Sequence, residues 1–413
     1  MNDDRVRTPY ASEIRALYLL AMALFVVTVS IGITNGLDLV EFDRQTILTH
    51  VHSGTLGWIT MSVFATTFWM FGEGREPGRV VRWLAWAAGI FIPFYILAFF
   101  LANAPLRAAT GSVVLLVILG VLGWTVGASR GRPMTVPRLS LLAGLTTLFV
   151  GAVFGVLQQV QYATEQSLTS GNVIGAHAAA MAFSYLVLAA MGIIEWRLRP
   201  GDRLSRSGTV QVILLFLSGL VLSLGTFANA DLMAIGGIYL LAEVVAVLIF
   251  IARMSRPVLG VGWGRASPER HIGLAGIFVV VDIGILMYLI VSIIIGAKPG
   301  ETPDVTSIPV WLIFALDHAI FIGVMTNLAF GLIRTWADPI DHRWPWPDQV
   351  TIWGMNIGMI GFIVGLALES AEIKRVFSPI MGISILIGLL TFGLRLWAAR
   401  ASARSSPAEG ASA

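Results

Sequence analysis

Residues 308–334 read IPVWLIFALDHAIFIGVMTNLAFGLIR, and only Asp317, His318 and Arg334 among them are ionisable. A helix needs about 20 predominantly apolar residues to cross the hydrocarbon core of a bilayer. The run exceeds that length and shows no alternation of period two, which excludes a half-buried strand. Residues 46–71 (TILTHVHSGTLGWITMSVFATTFWMF) and 172–196 (NVIGAHAAAMAFSYLVLAAMGIIEW) have the same character. Further apolar runs place helices near 12–34, 80–103, 109–127, 138–161, 207–227, 233–254, 271–296, 349–370 and 376–399, twelve in all. Composition agrees. The 413 residues are 56% hydrophobic and 12% charged, with a mean hydropathy of +0.82, against about 25% charged in a soluble domain. The chain therefore reads as an all-α integral membrane protein, a single twelve-helix domain over residues 1–400. The small polar segment 401–413 is expected to form a disordered cytoplasmic tail.

Basic residues set the expected orientation. With the N-terminus inside, the inner segments collect 22 of the 27 Lys and Arg residues, as the positive-inside rule requires. Only Arg44, Arg107, Lys298, Lys374 and Arg375 fall outside. Both termini are expected in the cytoplasm, in the inner (cytoplasmic) membrane. The net charge of +3 then reflects topology and contact with membrane lipid, and no nucleic-acid partner is expected. The first helix is too long for a cleaved signal and is expected to remain a span. Cysteine is absent, which excludes disulfides, thiolate metal sites and haem attached through C-x-x-C-H.

Six histidines remain as the main chemistry. His271 and His342 fall in predicted inner loops and read as solvated or interfacial. His50, His52, His177 and His318 lie inside helices 2, 6 and 10, near their outer ends. At 1.5 Å per residue their depths agree within about 8 Å. An intramembrane imidazole is costly and marks a functional site by default; the bland reading is that each binds a neighbouring carbonyl or hydroxyl and glues helices together. Depth, direction and four-helix spacing together favour a shared non-covalent haem of b type, whose iron takes axial imidazoles from facing helices. His50 and His52 are two residues apart and cannot face one ligand together. A faint repeat accompanies them: His52 and His318 are each followed five residues on by glycine (Gly57, Gly323), and His177 by Ala182. Three arcs of four helices, each with its histidines on the second member, is the simplest plan.

With histidines on helices 2, 6 and 10 of twelve, the chain resembles the haem–copper oxidase subunit I superfamily. THVHSGTLGWI and HAIFIGVMTNLAFG are most similar to its shorter divergent members, including NnrS-type proteins and relatives of nitric oxide reductase. The resemblance implies a low-spin haem on His318 and His52 (or His50), and a first copper ligand at His177, which reads either as binding copper together with His50 or as holding a second haem. It implies propionate partners at Lys374 and Arg375, an electron donor (a cytochrome or quinol) and a diatomic gas ligand, nitric oxide or dioxygen. The departures are specific. Helix 7 lacks the superfamily's histidine pair, helix 10 has one histidine where two are usual, and Met181 stands where a tyrosine or glutamate is expected. A three-histidine copper centre cannot be assembled, so the oxidoreductase reading is incomplete.

Glu243, Asp282 and Asp317 are carboxylates within predicted spans, read either as a proton relay or as hydrogen-bonded packing. Gln158, Gln159 and Gln161 crowd the end of helix 5 as the wall of a polar vestibule, and Asn327 reads as a packing residue. Two rival functions follow. One is a proton-coupled secondary transporter using Glu243 and Asp282; the other is a non-catalytic haem-dependent sensor of nitric oxide.

Overall fold

A computed structural model describes residues 8–201, 203–264, 267–296, 309–337 and 345–405, and among these residues every regular element is helical. Eleven helices are long and apolar enough to cross a membrane. They are α1 (Ala11–Gly36), α3 (Arg79–Phe100), α4 (Ala104–Ser129), α5 (Val136–Thr164), α6 (Val173–Leu198), α7 (Arg206–Phe227), α8 (Leu232–Leu259), α9 (Pro268–Gly296), α10 (Val310–Ala337), α11 (Trp346–Ala367) and α12 (Ala371–Ser405). A further helix, α2 (44–72), is as long, but its Ser, Thr and Gly content keeps it out of the eleven. The protein is thus a multi-pass membrane protein, with only helical elements among the described residues.

Burial separates the helices into two sets. Every residue of Met61–Gly72 in α2, of Leu186–Glu195 in α6 and of Asn327–Ala337 in α10 is buried. The remaining helices bury one stripe and present Leu, Ile, Val and Trp outward, as on α3 (Trp83, Trp86) and α8 (Leu241, Leu248). The inner three touch one another; α1 lies against α2, α3 and α12, and neighbours in sequence pack together throughout. Apolar surface gains little by leaving lipid for protein, so packing and interhelical hydrogen bonds hold such a bundle.

Those bonds concentrate on the inner helices. Each begins as an α-helix, widens to π geometry and returns to α: Ser53–Thr60 in α2, Met181–Tyr185 in α6 and Ala319–Thr326 in α10. In α2 and α10 the widened turn begins directly after His52 and His318 and ends on a threonine whose hydroxyl donates to the carbonyl five residues back, Thr60 to Thr55 and Thr326 to Phe321. Trp58 Nε1 donates to Thr326 Oγ1 at 3.0 Å, and the Tyr185 hydroxyl to Thr60 Oγ1 at 3.3 Å. At the opposite end Trp69 packs edge-on to Trp196 and Trp336, one tryptophan from each inner helix. The two ends of the bundle are called here the histidine end and the tryptophan end.

Several boundaries differ from the expected ones for local reasons. Asn103 caps α4 by accepting from the Leu106 amide, so α4 starts at Ala104 and takes in Arg107, expected in a loop. Lys374 and Arg375 lie in the first turns of α12, which starts at Ala371 rather than 376. The expected inner loop 253–271 shrinks because α8 runs through Pro257 to Leu259 and α9 starts at Pro268. His271, expected to be solvated, is instead fully buried in α9. Its Nδ1 meets Asn327 Oδ1 at 3.1 Å, and Asn327 in turn donates to Gly323 O and Asn356 Oδ1, which makes Asn327 the packing residue anticipated. At the head of α2, Asp43 accepts from the Thr46 amide at 2.8 Å. Hydrogen bonds from the Thr46 side chain and then its backbone hold the Asp43 carboxyl below its usual range, so this cap is lost only as pH falls through that lowered value. His342 and residues 406–413 lie outside the described residues.

Candidate functional site

The four histidines of α2, α6 and α10 share one hydrogen-bond pattern. His52 Nδ1 lies 2.8 Å from Leu48 O and His318 Nδ1 2.7 Å from Phe314 O, each one turn back on its own helix. His50 Nδ1 reaches Thr28 O on α1 at 2.9 Å, and His177 Nδ1 reaches Gly151 O on α5 at 2.8 Å. A carbonyl only accepts, so Nδ1 carries the hydrogen in all four and Nε2 keeps its lone pair. No described residue bonds any of these Nε2 atoms, and none is among the fully buried unpartnered atoms. This is the tautomer and orientation of metal-ligating histidines, whose other ring nitrogen is fixed by a carbonyl or carboxylate.

Glycine makes room for two of the rings. A Cβ at Gly32 would lie 3.2 Å from His50 Cε1, and one at Gly155 would lie 3.0 Å from His177 Cε1 and Nδ1. The remaining two rings are fixed by aromatic contacts. His52 stacks on Phe99 with centroids 3.9 Å apart and meets Tyr95 edge-on; His318 packs on Phe362 at 4.9 Å.

The rings fall into two groups, since His50 and His52, two residues apart, point to opposite sides of α2. His52 and His177 line one cavity of about 330 Å³ and lie within electrostatic reach of each other. That volume is in the range of small-molecule sites, roughly 300–1,000 Å³. Its walls are otherwise apolar, with Val114, Ile118, Leu148 and Met181 among them; Tyr95 and Asp317 supply polar groups. His318 has His50 within electrostatic reach, and His50 does not line the cavity. Each group joins one histidine tied to its own helix with one tied to a neighbouring helix. His50, the expected copper partner of His177, is not among the residues lining that cavity. Among the described residues no three His, Cys, Asp or Glu side chains converge to hold a metal ion. Two imidazoles suffice for the axial positions of a haem, so the donor set fits haem better than a protein-ligated copper.

The other expected residues are placed as follows. Arg375 pairs with Asp38 at 3.0 Å, with both side chains about half exposed, and Lys374 packs against Gly365. Glu243 (α8) and Asp282 (α9) are buried, and Glu243 Oε2 and Asp282 Oδ1 have no hydrogen-bond partner. Asp282 has both Glu243 and Asp317 as electrostatic neighbours, and Asp317 lines the cavity wall. The Tyr239 hydroxyl, beside Glu243, donates to Phe183 O in the widened turn of α6. Gln159 is buried with its Oε1 unpartnered.

Sequence reasoning missed three participants. Tyr95 and Phe99 on α3 position His52, and Arg107 stands beyond them, its guanidinium carbon 5.1 Å over the Phe99 ring. The signal was present as an arginine outside against the charge rule.

Comparison with known proteins adds no kinship: no family model matches the chain, and no curated protein matches it.

Proposed function

We propose that this protein is a membrane haem protein of the haem–copper oxidase type, with α2 as the twelfth span and both termini in the cytoplasm. Its three four-helix arcs are α1–α4, α5–α8 and α9–α12, and the inner member of each carries the histidines. The observation that carries the reading is the common tautomer. Four imidazoles, all from inner helices, have Nδ1–H fixed on a carbonyl and Nε2 free. Gluing helices together would explain the bonds of His50 and His177, which cross between helices. It does not explain His52 and His318, whose bonds stay on their own helices and whose Nε2 atoms remain open.

The principal site is the His52–His177 cavity, and His50 with His318 supplies a second pair. Haem bound there supplies one-electron redox chemistry. The chain's own residues do the rest. Leu48 O and Gly151 O fix the tautomers, Phe99 and Tyr95 hold the plane of His52, and Val114, Ile118 and Leu148 exclude water. His52 and His177 would hold the haem, which would supply electron transfer between a quinol or cytochrome donor and an acceptor.

The test is a reduced-minus-oxidised visible spectrum of the detergent-purified protein, with a pyridine haemochrome for stoichiometry. A sharp α band at one to two haems per chain is expected. A featureless spectrum after expression with ample haem overturns the proposal and moves the assignment to the second reading, a proton-coupled transporter. That reading is favoured by one observation, the two unpartnered carboxylate oxygens of Glu243 and Asp282. A protein that binds haem but is neither reduced nor reoxidised by quinol or cytochrome is a haem-dependent sensor instead.

A further inference from the structure

Arg107 is a buried positive charge without a counter-ion. It lies in the first turn and a half of α4 at the histidine end and is 7% exposed. Its one hydrogen bond goes to a neutral group, Gln45 Oε1, at 3.3 Å. Its Nε is sealed and unpartnered. Among the described residues no carboxylate pairs with it; the described acids find other partners or other places. A buried ion without compensation is strongly unfavourable. Arginines near a membrane surface commonly extend to lipid phosphate, but this one is turned inward. Its guanidinium lies over Phe99, the ring stacked on His52, and Gly111, one turn further along α4, lines the His52–His177 cavity. Tyr95 and His52 are its electrostatic neighbours.

We infer that Arg107 is the anchor for an anionic group, a carboxylate, carried by the occupant of the His52–His177 cavity at its histidine end. The occupant is thus amphipathic, an apolar body beside the imidazoles with an acid pointing toward α4. This rests on the haem reading above, in which the acid is a propionate; it assigns that role to Arg107, at a different place from Lys374 and Arg375.

The experiment titrates the purified apoprotein with iron protoporphyrin IX and, separately, with its dimethyl ester. Binding is followed by Soret absorbance and tryptophan quenching, for wild type, Arg107→Gln and Arg107→Lys. A hydrogen bond to a charged group is worth about 1.5–3 kcal/mol, so wild type should prefer the diacid by roughly tenfold to a hundredfold. Arg107→Gln should bind both forms alike, and Arg107→Lys should keep most of the preference. The Lys variant also shows whether loss in Arg107→Gln reflects charge or misfolding. A diacid preference that survives in Arg107→Gln, or is absent from wild type while both porphyrins bind with a bis-imidazole spectrum, overturns the role of Arg107 and leaves the haem reading standing. Failure of wild type to bind either porphyrin overturns both.

Discussion

A neutral imidazole has one hydrogen and one lone pair, and at four positions here the backbone takes the hydrogen. What remains is a directed lone pair inside a membrane, which no described residue answers. The pairing across α2 turns this into a divided prediction. His52→Ala and His177→Ala should each remove the same part of the low-spin α band, and His50→Ala and His318→Ala should each remove the complementary part. A single substitution that erases the whole band, or none of the four that diminishes it, is incompatible with two sites. His271 provides the contrast. Its Nδ1 is bonded to Asn327, its Nε2 is sealed, and Phe330 and Phe392 flank it edge-on. His271→Ala should leave the spectrum intact. It should lower thermal stability by about 1–3 kcal/mol, the cost of leaving Asn327 Oδ1 short of a donor, measurable by thermal unfolding in detergent. The histidines of helices 2, 6 and 10 were legible in the sequence because ionisable residues stand out against apolar runs. Their pairing was not, because it depends on which carbonyl each ring finds, and two of those carbonyls belong to other helices. His271 was misplaced because Arg265, Glu269 and Arg270 gave its surroundings a loop-like charge, although Arg270 is itself buried.

At the scale of the helix, the π-turns decide what meets what. A π-turn inserts an extra residue into an α-helix and often marks a functional site. Removing one residue from it restores α geometry and rotates everything beyond by about 100° relative to everything before. In α2 the turn Ser53–Thr60, which contains Trp58, sits between His52 on one side and the buried half Met61–Gly72 on the other. Deleting Thr55, whose carbonyl receives the Thr60 hydroxyl, should therefore separate the two ends. His52 keeps its Leu48 bond, while Trp69 loses its contacts with Trp196 and Trp336. The expected outcome is a protein that inserts in the membrane but elutes as an aggregate on size exclusion; wild-type stability would show that the turn is incidental. A milder probe is Gly155→Leu. A side chain there enters the space of the His177 ring, so it should reduce haem content in the manner of His177→Ala while α5 itself still forms. The widened turns explain why the repeat looked faint in sequence. Gly57, Ala182 and Gly323 were visible at a common offset from the histidines, but their partners are other helices: Leu24 and Ile96 pack on Gly57, and Phe278 on Gly323. The stronger members of the repeat are Thr60, Tyr185 and Thr326, eight residues after His52, His177 and His318, and they differ in residue type.

At the scale of the molecule, the long apolar helices were readable because hydrocarbon thickness sets their length, and eleven of the twelve expected are long and apolar enough to cross a membrane. Arrangement was less so, since lipid gives no solvent pressure to sort one apolar helix from another. What sorts them is polar. Glu195 on α6 takes both nitrogens of the Arg253 fork from α8, with Gln211 of α7 beside them; Asp348 joins Arg395 of α12 to Arg334 of α10. These ion pairs sit at the tryptophan end, and the free imidazoles and Arg107 at the other. The bundle is thus electrostatically closed at one end and chemically open at the other. If the positive-inside reading holds, the closed end faces the cytoplasm, because Arg75, Arg130, Arg132, Arg199 and Arg203 crowd the turns there. The absence of native cysteine makes the orientation testable in an otherwise unaltered chain. Single cysteines at Leu39 and Glu165, exposed at the histidine end, and at Gly201, exposed in the α6–α7 turn, are treated in intact cells with a membrane-impermeant maleimide. Leu39→Cys and Glu165→Cys should label at once, and Gly201→Cys only after the membrane is permeabilised. The reverse pattern would place the imidazoles at the cytoplasmic side, and the electron donor with them. Labelling of Leu39→Cys and Gly201→Cys from one side and of Glu165→Cys from the other would break the count of twelve, because α2 could then not be crossing the membrane.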